Sequence, residues 1–423
     1  MKILLIGSGG REHAMAWKLA QSPRTTELII ATGNAGTADL GQNINIGVDD
    51  HADLVKYAVD NNVDLVVVAP DQPIVDGLCD LFEQAGVKVF GASAAAARIE
   101  GSKIWSDDLM TKYNIPTAES VVFSDSGMAI EFGRSKPAGS LVVKADGLAA
   151  GKGVIIPDTY DDLDTAIIAM LDHAAFGEAS SRILLAERME GPEVSVFAFL
   201  DGEHVSSEIA TCDYKRISEG DVGLNTGGMG AYGPPEFWSE ELAGQVRERI
   251  LEPVAKALVQ ENSSFSGVLY AGLMITASGP KVIEFNCRFG DPETQILMPM
   301  LESDLVDICI AVAENRLGHE DVRWSETAHT FVVAVSNGYP GSYDTGVEIS
   351  GVDAAAEHGI VFHAGTARND DGVLITSGGR VLGVTGAGES IKEARSAAYA
   401  GINEVSFAGM SFRRDIAERA IRG

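Results

Sequence analysis

The stretch of sequence that decides the fold is Glu284-Phe285-Asn286-Cys287-Arg288-Phe289-Gly290-Asp291-Pro292-Glu293. It begins at the end of a predicted strand, on which Glu284 and Asn286 lie two positions apart and face the same side. Two oxygen ligands so placed suit Mg²⁺, which usually takes one or two protein ligands and adds phosphates and waters. Arg288 projects from the same face, where it can neutralise a phosphate or an acyl phosphate. The alternative is a structural ion pair between Glu284 and Arg288, which the following glycine-acid-proline turn makes the weaker interpretation.

A strand ending in lysine and a glycine-rich loop lie upstream of this stretch. Leu141–Lys144 is predicted as a strand, and the loop Ala145–Val154 follows it. A lysine on a buried strand supplies positive charge, and glycines let the backbone approach nucleotide phosphates closely. The Gly-Lys-Ser/Thr ending of a Walker A loop is absent. An ordinary hairpin is the alternative, but two lysines and three glycines within ten residues favour phosphate binding.

The loop Gly7–His13 follows the first predicted strand and opens a helix, an arrangement whose backbone amides suit an anion. A dinucleotide fingerprint would place its third glycine at position 12, which is Glu12. In addition, Thr32-Gly33-Asn34 stands where an acidic ribose ligand is expected. The sequence therefore argues against NAD and leaves two interpretations, a phosphate-binding turn and a tight structural turn.

A third loop, Asn225–Ala231, is too rich in glycine for an ordinary connection, and its backbone is predicted to approach a ligand. The preceding Asp213–Arg216 places charges of both signs nearby. A solvated charge cluster explains that tetrapeptide equally well.

The first hundred residues alternate short apolar runs with amphipathic stretches, which predicts a parallel, doubly wound sheet whose ligand site lies at the carboxyl ends of its strands. The predicted strands are Lys2–Gly7, Glu27–Ala31, Val63–Pro70 and Val87–Phe90, and the predicted helices are Arg11–Gln21, His51–Asn61 and Val75–Ala85.

Three domains are predicted for the 423 residues, since one core rarely serves so long a chain. We place an N-terminal doubly wound domain at 1–101 and a central domain at 102–326, with a mobile lid at about 120–190. A smaller, mixed or mainly β domain, rich in Val, Thr and Gly, is placed at 327–423.

Composition excludes several classes of function. The net charge of −29 opposes binding to a nucleic-acid backbone and indicates an acidic surface suited to solubility or salt. The four cysteines form no Cys-x-x-Cys pair, so neither a disulfide framework nor a zinc site is expected. No apolar run is long enough to span a bilayer, and no signal peptide precedes the first strand, so a cytoplasmic protein that binds no membrane is expected.

Taken together, these motifs resemble the ATP-grasp superfamily and, within it, the phosphoribosylamine–glycine ligase family. The resemblance runs from Met1 to about Ala420. Its most specific parts are Gly7–His13, Lys144–Val154, Asn225–Tyr232 and Arg288–Gln295. It implies an α/β and α+β multidomain fold with an N-terminal doubly wound parallel sheet, an ATP-grasp core with a mobile lid, and a small mixed C-terminal domain.

The resemblance also implies site residues. For ATP binding these are Lys103, Lys144, Gly147, Gly151, Lys152, Gly153, Glu187 and Glu193. The metal, Mg²⁺ or Mn²⁺, would be bound by Glu284 and Asn286, and the catalytic residues would be Arg288, Asp213 and Lys215. For the other substrates they are Gly9, Gly10, Arg11, Asn34, Gly36, Thr37, Asp71, Asn225, Gly227, Gly228, Gly290 and Asp291.

The activity implied is the ATP-dependent joining of glycine to 5-phosphoribosylamine in de novo purine biosynthesis, through a glycyl phosphate, by a monomer or weak dimer. Asp71, Tyr214 and Ala186 depart from the residues common in the family. Strand Val268–Thr276 carries no acid, so two protein ligands to the metal are predicted. The alternatives are an ATP-grasp ligase for a different carboxylate and amine, and a regulatory nucleotide-binding protein without catalysis.

Overall fold

Three large sheets organise the chain, whose computed structural model describes residues 1–149 and 152–422. One is parallel with five strands, one is antiparallel with four, and one is antiparallel with nine. The predicted multidomain fold class, with an N-terminal doubly wound sheet and a small mixed C-terminal domain, is confirmed. The domain boundaries at 101/102 and 326/327 stay predictions.

The N-terminal sheet has the order third, second, first, fourth and fifth strand, all parallel. Except at the ends of the first two, the central strands are buried and read as continuous apolar runs, the pattern of a parallel sheet that is covered on both faces. The strands are Lys2–Gly7, Glu27–Thr32, Gln42–Ile44, Leu65–Val68 and Val89–Phe90. The helices are Gly10–Ala20, Thr37–Asp39 (3-10), His51–Asp60, Asp71–Val75, Leu78–Gln84 and Ala94–Gly101.

Two predictions for this domain were incomplete or wrong. The strand Gln42–Ile44 was missed, because it is short and only partly buried and so carries no apolar run. The helix predicted over Val75–Ala85 is present but shorter, at Leu78–Gln84, and a separate helix ends at Val75. Gly77 adopts a left-handed conformation, with φ of 85°, and separates two short helices there.

A four-stranded antiparallel sheet forms the predicted lid region and has its own apolar core. Its strands, in spatial order, are Ser120–Phe123, Ile183–Glu187, Leu141–Ala145 and Val154–Ile155. Helices Ser126–Arg134 and Tyr160–Leu171 pack against each other and contribute Ala129, Leu163 and Ile167 to that core. A 3-10 turn, Gly177–Ser180, precedes the strand Ile183–Glu187.

The nine-stranded sheet joins the central and C-terminal parts of the chain. In spatial order its strands are Gly279–Asn286, Ser266–Thr276, Glu193–Asp201, Ile209–Asp213, Gly230–Gly233, Ala328–Val335, Arg380–Gly388 and Ile360–His363, with His204–Val205 beside the third. Gly230–Gly233 is bonded on one side to Ile209–Asp213 and on the other to Ala328–Val335. The predicted boundary at 326/327 therefore falls between two strands of one hydrogen-bonded sheet.

Helices and two small hairpins complete the fold. The long helix predicted over Glu240–Asn262 is present, but it contains a π turn just before Pro253, whose missing N–H cannot continue the α-helical ladder. The helices are Lys103–Lys112, Glu240–Val246, Arg247–Leu251 (π), Glu252–Gln260, Thr294–Met300, Leu305–Ala313, Leu317–His319 (3-10), Val352–Ala356, Ile391–Glu404 and Arg419–Arg422. The hairpins pair Arg216–Ser218 with Val222–Asn225 and Thr366–Arg368 with Leu374–Thr376. Among helices of the described residues, none has both the length and the apolar character needed to cross a membrane.

Candidate functional site

Lys144 projects from the lid sheet towards the nine-stranded sheet. Its Nζ donates to the carbonyl oxygen of Ile283 at 2.9 Å. That carbonyl is available because a β-bulge at Ile283 interrupts the pairing with strand Ser266–Thr276. Burial lowers the pKa of the Lys144 ammonium, and Glu284 offsets this in part. The bulge thus brings Lys144 next to the strand that carries Glu284.

Glu284 is surrounded by cationic side chains. Burial alone would raise the pKa of its carboxyl, but four cations hold that pKa below its usual value, namely Lys215, Lys103, Lys144 and Arg288. Positive charge concentrated around one carboxylate is the electrostatic pattern expected where a polyphosphate and a divalent metal bind together. The structure therefore brings five of the predicted site residues into one place.

Asn286 lies beyond Glu284 on the same strand, and its side-chain amide is only half satisfied. Its Oδ1 accepts from Arg288 Nη2 at 3.3 Å, whereas its buried Nδ2 has no hydrogen-bond partner within the part of the chain that the structure describes. Carboxylate and amide oxygens are hard ligands of the kind that Mg²⁺ and Mn²⁺ prefer. Glu284 and Asn286 therefore fit the predicted metal. Across residues 1–149 and 152–422, no three His, Cys or acidic side chains cluster as a metal site.

Arg288 is held between two carboxylates. Its Nη2 lies 2.8 Å from Glu100 Oε1 and 3.7 Å from Asp71 Oδ2. Burial lowers the pKa of this guanidinium, but Glu100 and Asp71 outweigh it and raise the pKa overall. Sequence reasoning missed Glu100, which shares the alanine-rich helix Ala94–Gly101 with Arg98 and carries no local signal of a role at the site.

Asp213 and Lys215 lie on the same side of the site. Lys215 Nζ is 3.2 Å from Glu193 Oε2, so a predicted catalytic residue contacts a predicted ATP ligand. Burial raises the pKa of Asp213, and Asp213 in turn raises the pKa of Lys215. Lys215 thus lies between Asp213 and Glu193 and also acts on Glu284, which belongs to the same sheet.

Glu293 is a second acid that sequence reasoning left without a role. It is buried, and burial together with the nearby Asp213 raises its pKa to about 7. Tyr270, whose hydroxyl lies 2.8 Å from Ser195 Oγ, also interacts with it. The signal was present in the sequence, since Glu293 follows the Asp-Pro turn of the opening stretch.

Lys103 begins helix Lys103–Lys112 and contacts the root of the glycine-rich loop. Its Nζ donates to the carbonyl oxygen of Gly147 at 3.2 Å, and its N–H donates to that of Asp146 at 2.8 Å. Lys152 is exposed, and Gly153 accepts a hydrogen bond from the Ala145 N–H at 2.8 Å. Gly151 lies outside the described residues.

Glu187 is set apart from the other predicted ATP ligands. It is exposed at the end of its strand, with one carboxylate oxygen 4.0 Å from Lys281 Nζ. Glu187 ends an inner strand of the lid sheet, and its partner Lys281 lies on the same strand as Glu284 and Asn286.

The turns predicted for the sugar phosphate are largely bonded to each other. Gly9 N–H donates to Glu12 Oε2 at 2.7 Å, and Arg11 Nε donates to Glu12 Oε1 at 2.7 Å. The Asn34 Oδ1 accepts the N–H groups of Gly36 at 2.9 Å and Thr37 at 3.1 Å. Glu12, which stands in place of the third glycine of a dinucleotide fingerprint, thus accepts the hydrogen bond of the Gly9 N–H, a backbone amide that the fingerprint would leave for a phosphate. Gly10, the first residue of the helix, leaves its N–H unpaired by the helix itself.

The loop that contains Gly227 and Gly228 packs against the turn after the opening stretch. Arg380 connects the two, since its Nη1 donates to Gly227 O at 2.7 Å and its Nη2 lies 2.9 Å from Asp291 Oδ2. A Cβ on Gly228 would overlap the ring of Pro292. Sequence reasoning missed Arg380, which the C-terminal part of the chain supplies.

Two predicted substrate residues flank this contact without taking part in it. Gly290 covers the Glu293 carboxylate closely enough to exclude a side chain. Asn225 pairs with Arg216 in the hairpin of Arg216–Ser218 and Val222–Asn225. The roles assigned to all site residues stay predictions.

Family models match nearly the whole chain. The phosphoribosylglycinamide synthetase N domain matches residues 1–100, the ATP-grasp (A) domain 101–294 and the C domain 329–419. The phosphoribosylamine–glycine ligase of Salmonella typhimurium is 47% identical over 100% of this chain and 99% of its own length. The phosphoribosylamine–glycine ligase of Halalkalibacterium halodurans is 45% identical over 100% of this chain and 97% of its own length.

Solved structures agree with this. The crystal structure of the phosphoribosylamine–glycine ligase from Thermotoga maritima has a TM-score of 0.84 at 32% identity, covering 99% of this chain and 100% of that one. A biotin carboxylase from Campylobacter jejuni, with a TM-score of 0.70 at 12% identity over 97% of this chain and 92% of its own, shares the fold alone. The chain therefore belongs to the phosphoribosylglycinamide synthetase family of ATP-grasp proteins.

Proposed function

We propose that the chain joins glycine to 5-phosphoribosylamine with ATP, giving glycinamide ribonucleotide, ADP and phosphate, in purine biosynthesis. The single observation that carries this proposal is the cluster of cations at the strand of Glu284, where Lys144 bonds the neighbouring Ile283 carbonyl, Arg288 bonds Asn286, and Lys103 and Lys215 add charge that lowers the pKa of Glu284. Such a cluster can hold a nucleotide triphosphate beside a carboxylate substrate. Membership of the family and the names of its relatives support the choice of substrates.

The proposed reaction proceeds in two transfers. A glycine carboxylate oxygen attacks the γ-phosphorus of ATP, the bond to the bridging oxygen breaks, and ADP leaves. The amine nitrogen of phosphoribosylamine then attacks the acyl carbon of glycyl phosphate, the carbon–oxygen bond to phosphate breaks, and the nitrogen loses a proton. Positioning and charge neutralisation suffice for both transfers, so no protein nucleophile is needed.

Each part of the site has a task in this scheme. Lys103 and Lys144, now bonded to backbone carbonyls, would exchange those acceptors for phosphate oxygens. Arg288 would offset charge on the phosphoryl group in transfer. A divalent metal held by Glu284 and Asn286 would neutralise further phosphate charge. The lid sheet, with its separate core, would close over the nucleotide and exclude water from the acyl phosphate.

Omission of single components tests the proposal. Phosphate release is measured with ATP, Mg²⁺, glycine and phosphoribosylamine generated in situ, leaving out each in turn, and the amide product is sought by mass spectrometry. We expect release to require both glycine and the amine. Phosphate release that does not depend on glycine but increases with another carboxylate would show that the substrate assignment is wrong and that the ATP-dependent mechanism is right. ATP binding without turnover under every combination would refute catalysis.

A further inference from the structure

Glu100 is a buried carboxylate at the junction between the N-terminal sheet and the rest of the chain. It lies in the last turn of helix Ala94–Gly101 and is only 5% exposed. Its Oε2 accepts from Cys287 N–H at 2.8 Å and from Cys287 Sγ at 3.1 Å, while its Oε1 accepts from Arg288 Nη2 at 2.8 Å. Both carboxylate oxygens are therefore committed to the stretch that follows the candidate metal ligands.

Both terminal nitrogens of the Arg288 guanidinium have hydrogen-bond partners, whereas its Nε has none among the described residues. Besides Glu100, the guanidinium donates to Asn286 Oδ1 at 3.3 Å through Nη2 and to Phe289 O at 3.3 Å through Nη1. Its buried Nε has no hydrogen-bond partner among the residues that the structure describes. A donor left unsatisfied in a buried site is costly unless a ligand completes it. The orientation of Arg288 therefore leaves a donor for a bound anion.

The two acids beside Arg288 differ in a way that separates their tasks. The side chain of Glu100 is 4% exposed and in hydrogen-bonding contact, whereas that of Asp71 is 39% exposed and lies 3.7 Å away. A more exposed, longer contact is weaker and exchanges more readily with a ligand. Glu100 can thus stay bonded to Nη2 while the longer contact of the same nitrogen with Asp71 is given up.

We propose that Glu100 is a positioning residue that orients Arg288, and that it acts on the reaction only through that side chain. By pairing with Nη2 from the buried side, it keeps Arg288 from turning towards Asp71 and so leaves the unpaired Nε as the donor for the phosphoryl group of the activated carboxylate. This inference rests on the proposed ligase function, because the anion concerned is the acyl phosphate.

A double-mutant cycle tests the inference. Glu100→Gln keeps the shape and one acceptor but removes the charge, and we expect it to lower kcat/KM for glycine by about 10- to 100-fold, as for loss of a charge-assisted hydrogen bond. The Kd for ATP should stay within about twofold, since Lys103 and Lys144 are untouched. In an Arg288→Lys background the same change should cost less than about threefold, because the guanidinium that Glu100 orients is gone.

Two further variants keep the test decisive. Glu100→Asp retains the buried charge, so the variant should fold. Its side chain is too short to reach Nη2, so kcat/KM for glycine should fall, but by less than in Glu100→Gln. Glu208→Gln serves as the control, because it breaks another partly buried ion pair, the one with Arg247 at 2.6 Å. Glu208 precedes the strand that ends at Asp213, so it lies at the far end of that strand, and the variant should leave kcat/KM unchanged.

The outcomes separate this inference from the proposed function. Losses from Glu100→Gln and Arg288→Lys that multiply would show that Glu100 acts independently of Arg288 and would overturn the inference. Unchanged kcat/KM for glycine in Glu100→Gln would do the same. A wild-type protein that does not ligate glycine would instead overturn the proposed function.

Discussion

Two buried histidines at the contact between the N-terminal and C-terminal parts of the chain should make its stability depend on pH. His13 lies on helix Gly10–Ala20, and its Nδ1 accepts the N–H of His363 at 2.7 Å, which requires that nitrogen to be unprotonated. His363 Nδ1 lies 3.0 Å from Thr366 Oγ1. The two residues are only 6% and 8% exposed. Both are therefore held in the neutral form.

The size of the effect follows from the pKa values. Burial, followed by the charge of His363, lowers the pKa of His13 from 6.5 to about 3, and burial lowers that of His363 to about 4, with Asp39 opposing and Arg368 assisting. Below pH 6.5 the unfolded chain binds protons that the folded chain refuses, so stability falls as pH falls. At pH 5 each histidine costs about 2 kcal/mol, from roughly 1.5 pH units at 1.36 kcal/mol each, and the pair costs about 4 kcal/mol.

Urea unfolding at pH 7.5, 6 and 5, at constant ionic strength, measures this cost. His13→Asn keeps an acceptor near the position of Nδ1 and removes the titrating imidazole. Between pH 7.5 and 5 the free energy of unfolding of this variant should therefore fall by about 2 kcal/mol less than that of wild type. His319→Asn, at an exposed histidine, should behave as wild type. Equal pH dependence in wild type and His13→Asn would refute the assignment of this buried pair as the cause.

Three further predictions concern the site and the surface. Glu284→Gln should lower Mg²⁺-stimulated ATP turnover by about 100-fold or more, because a metal ligand is lost. Metal-free ATP should bind at least as tightly as to wild type, because one negative charge fewer faces the phosphates. Turnover assays and calorimetry with and without Mg²⁺ check both expectations, and an unchanged metal dependence contradicts the assignment. Gly228→Ala should lower both the apparent Tm and turnover, because the new Cβ would overlap Pro292 and the backbone φ of 115° is unfavourable for alanine. Gly244→Ala, where a Cβ would meet nothing within 4 Å, should change neither quantity. Equal Tm values for the two variants would contradict the close packing of Gly228 against Pro292. The net charge of −29 predicts that raising KCl from 0.1 to 1 M increases the apparent Tm by several degrees in a thermal scan, and a decrease would exclude self-repulsion as a significant cost.

The residues that sequence reasoning located share one property: the signal lies within a short segment. Glu284 and Asn286 could be placed on one face because alternation along a strand is fixed by the backbone. Lys144 could be assigned because its strand runs directly into a glycine-rich loop. The central strands of the N-terminal sheet are readable because burial on both faces leaves continuous apolar runs.

The residues that it missed depend on contacts between distant segments. Glu100 meets Arg288 across 188 positions, and Arg380 meets Asp291 across 89. Neither pairing has a periodic pattern, because each arises only when separately formed elements pack. The bulge that frees the Ile283 carbonyl for Lys144 is similarly a property of strand pairing and leaves no mark in the apolar pattern.

The C-terminal part of the chain belongs to the site through the nine-stranded sheet. Without Ala328–Val335, strand Gly230–Gly233 would become an unpaired edge, and it is this strand that holds Asp213 in register through Ala231. The hydroxyl of Tyr214, between Asp213 and Lys215, accepts the N–H of Ala417 at 2.9 Å. A domain that supplies none of the predicted site residues thus fixes the backbone from which Asp213 and Lys215 project, so changes in its packing should reach the reaction through those two side chains.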